Sequence, residues 1–203
     1  SENSKKIYEL KEEYIKTIVD VVTFLQGKNK NLARQICSEN FLPRAFRFGQ
    51  ISKMKDIFET ISGQDKAKHL ATLYLEDLLD FIVECVDENF GFSRYAESLG
   101  RSANSFDELY LKLQKHTSYI DDVGLKLLDH KLNETQAQIV GISVPFPGNL
   151  YSAFRYAQWI KKYYPEIKTI MGGGFPTTEL RSISDPRVFD FFDYITLDDG
   201  ELP

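Results

Sequence analysis

Five positions carry features that ligand chemistry needs. Ser143 closes the β-branched run Gln138-Ile139-Val140-Gly141-Ile142-Ser143-Val144. Gly172, Gly173 and Gly174 follow Lys168-Thr169-Ile170-Met171. Gly200 sits in Asp198-Asp199-Gly200-Glu201, after Asp193-Tyr194-Ile195-Thr196-Leu197. A serine hydroxyl both donates and accepts hydrogen bonds. Glycine has no Cβ to hold off a large planar or phosphate-bearing group. The chemistry on offer is binding rather than bond making. Plainer readings compete: a strand-end turn residue for Ser143, a tight turn and close packing for the triple glycine, and a solvated acidic turn for Asp198 and Asp199.

The residue types that make and break bonds are not arranged to do so. Cys37 and Cys85 read as small hydrophobes on apolar helix faces. Two cysteines cannot hold an iron–sulfur cluster, which usually takes about four thiolates. His69 and His116 lie among lysines and read as exposed. His130 follows Asp129, but nothing nearby completes a triad or a metal site. The segment Arg44-Ala45-Phe46-Arg47-Phe48 has the interleaving that stacks on nucleic acid. With 25 Lys and Arg against 30 Asp and Glu, net −5, broad binding to nucleic acid or anionic membranes is disfavoured. A packed loop or a docking surface fits that segment better, and the same holds for Phe90-Gly91-Phe92-Ser93-Arg94-Tyr95. No run of about 18 apolar residues occurs, and Ser1-Glu2-Asn3-Ser4-Lys5-Lys6 has no apolar core, so neither a membrane span nor a secretory signal is read. The expectation is a soluble, cytoplasmic chain.

These residues need a scaffold. The 203 residues, 42% hydrophobic and 27% charged, describe a globular chain of one domain or two small ones. Residues 1–133 read as mainly helical, with apolar stripes over 7–25 and 66–87, short helices near 30–40 and 51–61, and a long stretch over 105–132 that Gly124 kinks. Residues 134–203 alternate strand, helix, strand, helix, strand. Asn149 is placed to cap the first of these helices, and Pro165 to stop it. Short connections of this kind imply right-handed crossovers and a parallel sheet. Ligands of parallel sheets bind outside the carboxyl ends of the strands, where all five positions lie. The expected fold is α/β: a helical amino-terminal region, then a partial Rossmann/flavodoxin-like sheet.

The ordered set Ile139-Val140-Gly141-Ile142-Ser143-Val144, a helix ending at Tyr164-Pro165, Met171-Gly172-Gly173-Gly174-Phe175-Pro176-Thr177 and Asp193-Tyr194-Ile195-Thr196-Leu197-Asp198-Asp199-Gly200-Glu201 resembles the cobalamin-binding region of radical S-adenosylmethionine enzymes. That family reads D-x-V-G-I-S, K-x-x-x-P, G-G-x-x-x-T and D-x-V-x-x-G-E-G-E in this order. The resemblance covers about residues 137–203. It implies that Ser143, Gly172, Gly173 and Gly174 line the pocket of the cobalamin nucleotide tail, with Gly200 at a third wall. It also implies that S-adenosylmethionine and a [4Fe-4S] cluster belong to a barrel following Pro203, the expected partner of this chain. By itself the chain would bind cofactor without turnover. The alternative is a degenerate docking module that holds no cofactor. Two departures stand out: Asp198 replaces the motif's first glycine, and Asp199 its first glutamate. The family's opening strands are not visible, helices standing in their place, and no D-x-H-x-x-G motif supplies a lower axial histidine.

Overall fold

The computed structural model describes residues 1–54, 60–92, 97, 106–182 and 184–198. The chain divides into two compact units, Ser1–Glu88 and Asn89–Pro203. The change of rhythm at 133/134 lies within the second unit. The helical residues between 107 and 135 pack with the sheet, because an apolar stripe announces a buried face without naming what buries it. Among the described residues no helix is long and apolar enough to cross a membrane.

The first unit is helical. Helices α1 (Glu2–Glu9) and α2 (Lys11–Leu25) divide the stripe expected over 7–25 at Leu10, whose φ of −90° and ψ of 12° leave helical geometry. Helix α3 (Leu32–Ile36) and a 3-10 segment (Phe46–Met54) lead to α4 (Gly63–Cys85). Ser62 caps α4 by accepting the Asp65 N–H at 3.2 Å. The centre of the short helix expected over 51–61 lies outside the described residues. Ile7, Val21, Phe24, Ile36, Leu70, Leu73 and Tyr74 form the core. Within it the Tyr74 O–H donates to the Tyr14 carbonyl at 2.9 Å, while Tyr14 Oη and Asp77 Oδ2 are buried without a hydrogen-bond partner among the described residues. In the Arg44–Phe48 segment Ala45 and Phe48 are buried, whereas Phe46 is 75% exposed. Arg47 forks onto Asp80 with two 2.8 Å bonds, and its backbone N–H donates to Asp77 at 3.0 Å. Burial pushes the Asp77 carboxyl upward from its ordinary range. The cysteines correct expectation: Cys37 is only half-buried and Cys85 is exposed, both as free thiols.

In the second unit, α5 (Asp107–Leu113) and α6 (Tyr119–Thr135) replace the single stretch expected over 105–132. The break comes at a capping box: Ser118 accepts the Asp121 N–H and Asp121 accepts the Ser118 N–H, each at 3.1 Å. Ser-x-x-Asp is the sequence signature of such a start. Gly124 lies inside α6 and does not break it. A Cβ there would stand 2.5 Å from the Tyr156 hydroxyl, so the glycine admits that ring.

Strands β1 (Ile139–Ser143), β2 (Lys168–Gly172) and β3 (Tyr194–Ile195) form a parallel sheet in the order β1-β2-β3. Helix α7 (Leu150–Tyr163) joins the first two. A five-residue helix α8 (Gly174–Thr178) and a 3-10 turn (Pro186–Asp190) join the others. One face of the sheet is covered. Met171, Val144 and Ile142 pack on Ala153, Phe154 and Ala157 of α7 and on Phe192. On the other face Ile139 is 61% and Tyr194 57% exposed. Parallel sheets are ordinarily covered on both faces; among the described residues this one is covered on one.

Asp193 fastens the start of the sheet. It accepts from Lys161 at 2.5 Å, from the Thr169 N–H at 2.8 Å and from Lys168 at 3.2 Å. The Lys161 ammonium, then the Thr169 amide, hold its carboxyl well below the usual carboxylate range. Its contribution is therefore complete above the unfolded-state value of about 3.9 and is lost as pH falls through the lower folded value. Asp193→Asn is expected to cost about 1–3 kcal/mol at pH 7. It should also flatten the decline of stability below about pH 4. Urea midpoints for both proteins from pH 7 to pH 3 check this; parallel curves would remove Asp193 from that role.

Candidate functional site

The candidate site is built where β1 and β2 end side by side, with Ser143 paired to Gly172. Beyond the strands the two chains stay joined. The Val144 N–H donates to the Gly172 carbonyl at 2.7 Å, and the Phe175 N–H donates to the Val144 carbonyl at 3.0 Å. Gly173 turns the chain between those bonds at φ +106°. A Cβ on it would lie 2.9 Å from Val144 N and 3.0 Å from Ser143 Oγ. Glycine is thus required there twice, by backbone conformation and by close approach. A Cβ on Gly172 would run into the Thr196 hydroxyl. Gly174 is less constrained, its nearest neighbour being the Pro145 carbonyl at 3.6 Å.

The structure therefore brings Ser143, Gly172, Gly173 and Gly174 together. Gly200 lies outside the described residues, as do Asp199 and Glu201. Two of the three adjacent glycines serve the fold directly. Ser143 is exposed at this end of the sheet, and Asn149 stands one loop away. Asn149 occupies the N-cap position of α7 without capping it. Its Oδ1 is buried with no hydrogen-bond partner among the described residues.

The third strand contributes through Asp198, which sequence reasoning set aside as a solvated turn. Its φ of +62° is left-handed, a conformation that Asp tolerates better than most residues. The Asp198 N–H donates to Thr177 Oγ1 at 3.1 Å, and that hydroxyl donates to the Gly173 carbonyl at 2.9 Å. Arg181 forks onto the Asp198 carboxylate at 2.6 and 2.9 Å. That guanidinium holds the Asp198 carboxyl below its usual range. A chain of contacts thus links the ends of all three strands. Thr177 is the threonine of the G-G-x-x-x-T pattern, though the pattern did not say what its hydroxyl holds; Asn149 read only as a helix cap.

Among the described residues of the site, none is arranged for acid–base or nucleophilic work. His116 stands in the turn before α6, and His130 pairs with Glu134 at 3.3 Å on the exposed face of α6. His69 belongs to the first unit. Among the described residues no group of three or more His, Cys, Asp or Glu side chains is placed to hold a metal ion. Compared with protein-family models, with curated proteins and with solved structures, the chain matches none.

Proposed function

We propose that the second unit is part of a Rossmann/flavodoxin-like, cobalamin-type cofactor-binding domain. On this reading the chain is the non-catalytic, cofactor-binding portion of a cytoplasmic radical S-adenosylmethionine iron–sulfur enzyme. The observation that carries the reading is the joined carboxyl ends of three parallel strands in sequential order. In the flavodoxin-like order 2-1-3-4-5, the last three strands are neighbours in sequence, and the ligand crevice lies beside the third. Here that place is the free edge of β1, where Ser143 stands. Asp198 adds support: it holds a left-handed backbone where the family motif has glycine.

The residues present fit one wall of such a site. The exposed Ser143 hydroxyl can pair with polar atoms of the nucleotide tail, and the open backbone at Gly174 lets it approach closely. When bound, cobalamin supplies methyl-transfer or radical-partner chemistry. This chain's residues bind and orient it. The S-adenosylmethionine and [4Fe-4S] chemistry belongs to the barrel expected to follow.

A docking module without cofactor is the second reading. It is favoured by the uncovered sheet face with Ile139 and Tyr194, and by the fact that packing alone accounts for Gly173. Titration of the chain with hydroxocobalamin separates the two. The first reading expects a saturable change in the cobalamin absorption bands and co-elution of the red cofactor through a desalting column. Ser143→Phe, which fills the space outside β1, should weaken that binding about tenfold. Unchanged spectra at high protein concentration would leave the docking module.

A further inference from the structure

A second hollow lies at the other end of the unit and is independent of the strand tips. Helix α7 begins at the carboxyl end of β1 and runs back to the start of β2. Its last turns meet the 114–118 segment between α5 and α6. Together they enclose about 400 Å³ lined by Lys115, His116, Arg155, Trp159, Lys162 and Tyr163, among others. Volumes of about 300–1,000 Å³ suit small organic ligands.

The lining is lopsided. Among the described residues it contains no Asp or Glu, although the chain as a whole is acidic. Arg155 makes a neutral floor. Its N–H groups are spent on Tyr151, Gln158 and the Lys112 and Leu113 carbonyls, and its charge is met by Asp121 at 3.4 Å. Lys115 and Lys162 make no ion pair among the described residues, and the Lys162 ammonium lies 4.9 Å over the Tyr163 ring. The helix dipole favours a cation in the last turn of α7. It does not account for Lys115 and His116 arriving from a different element, nor for the aromatic wall beside them. That wall is Trp159 with Tyr163 tilted onto it, ring centroids 4.1 Å apart. Trp159 Nε1 is buried without a hydrogen-bond partner among the described residues, so the fold leaves a donor in this wall unused.

We infer that this hollow binds a mononucleotide-class ligand, a flat base against the Trp159–Tyr163 wall and a phosphate among Lys115, His116 and Lys162. Bases of any sequence stack on aromatic side chains, and ammonium groups meet phosphates as point charges. Trp159 is the single tryptophan of the chain, so its fluorescence reports on this hollow alone. Titration of the whole chain with AMP should give saturable quenching. Lys115→Ala/Lys162→Ala, two exposed changes that leave the core intact, should weaken it at least about tenfold, with unchanged circular dichroism. Inorganic phosphate, run as a separate titration, should bind more weakly and compete with AMP. Calorimetry on Trp159→Phe provides a second readout that keeps an aromatic face. Absence of AMP binding by both methods, or equal affinity in the double variant, would overturn the site. Equal affinity for inorganic phosphate would overturn the assignment of the aromatic wall.

Discussion

Arg155→Ala is expected to remove about 3–5 kcal/mol from the stability of the second unit, against a total of about 5–15 kcal/mol for an ordinary domain. The side chains of Arg155 and Asp121 are both only 5% exposed. Tyr151 bridges them, donating its O–H to Asp121 at 2.7 Å and accepting from Arg155 Nη2 at 2.8 Å. Burial is the main reason that its phenol is pushed up to about 12. Arg155 also ends α5 from outside, donating to the Leu113 carbonyl at 2.9 Å and the Lys112 carbonyl at 3.3 Å. Alanine would leave a buried carboxylate without its cation, while the two helix-end carbonyls would keep only Gln158 Nε2 at 3.2 Å on Leu113 and the Lys115 N–H at 3.1 Å on Lys112. Removing both charges together is milder than removing one. Arg155→Met/Asp121→Leu should therefore cost clearly less than Arg155→Ala plus Asp121→Leu summed. Urea unfolding followed through Trp159 fluorescence reads this unit directly. A loss under about 1 kcal/mol for Arg155→Ala would show that the cluster is not the keystone that its burial indicates.

Gly173→Ala is expected to cost about 2–4 kcal/mol, combining left-handed backbone strain with overpacking against Val144. Two of the three near atoms are main chain, Val144 N at 2.9 Å and Val144 O at 3.0 Å from the added methyl, so rotating the Ser143 side chain does not relieve the clash. Gly141 is the internal control. A Cβ there meets nothing within 4 Å, so Gly141→Ala should be neutral or stabilise by about 0.4–1 kcal/mol, chiefly through the unfolded chain. Melting temperatures of the two variants decide the matter. If both glycines tolerate alanine equally, the ends of β1 and β2 are not joined as described.

The three strands and α7 were legible because their signals are local: β-branched runs, a proline stop and glycine at the turns. The parallel arrangement then followed from connection length. Ser143 and the three glycines were legible as neighbours for the same reason, since strand ends can be read from the strands. What escaped notice depends on partners distant in sequence. Arg155 lies 42 residues from the carbonyl that it caps, and its neighbours Phe154 and Tyr156 mark only an apolar helix face. Asp193 reads as a polar residue before a strand until Lys161 and Thr169 arrive beside it. The break before α6 is different. Ser118-x-x-Asp121 announced it, but the apolar stripe on either side suggested one continuous helix.

The sequential order of the strands also bears on how the molecule is made. Each strand pairs with the one synthesised just before it, so none has to wait for a distant later segment. Loop closure therefore costs a similar, modest amount of entropy at each addition. The sheet can assemble vectorially as the chain emerges, β1 serving as template for β2 and β2 for β3, with α7 settling onto the first pair before the last strand exists.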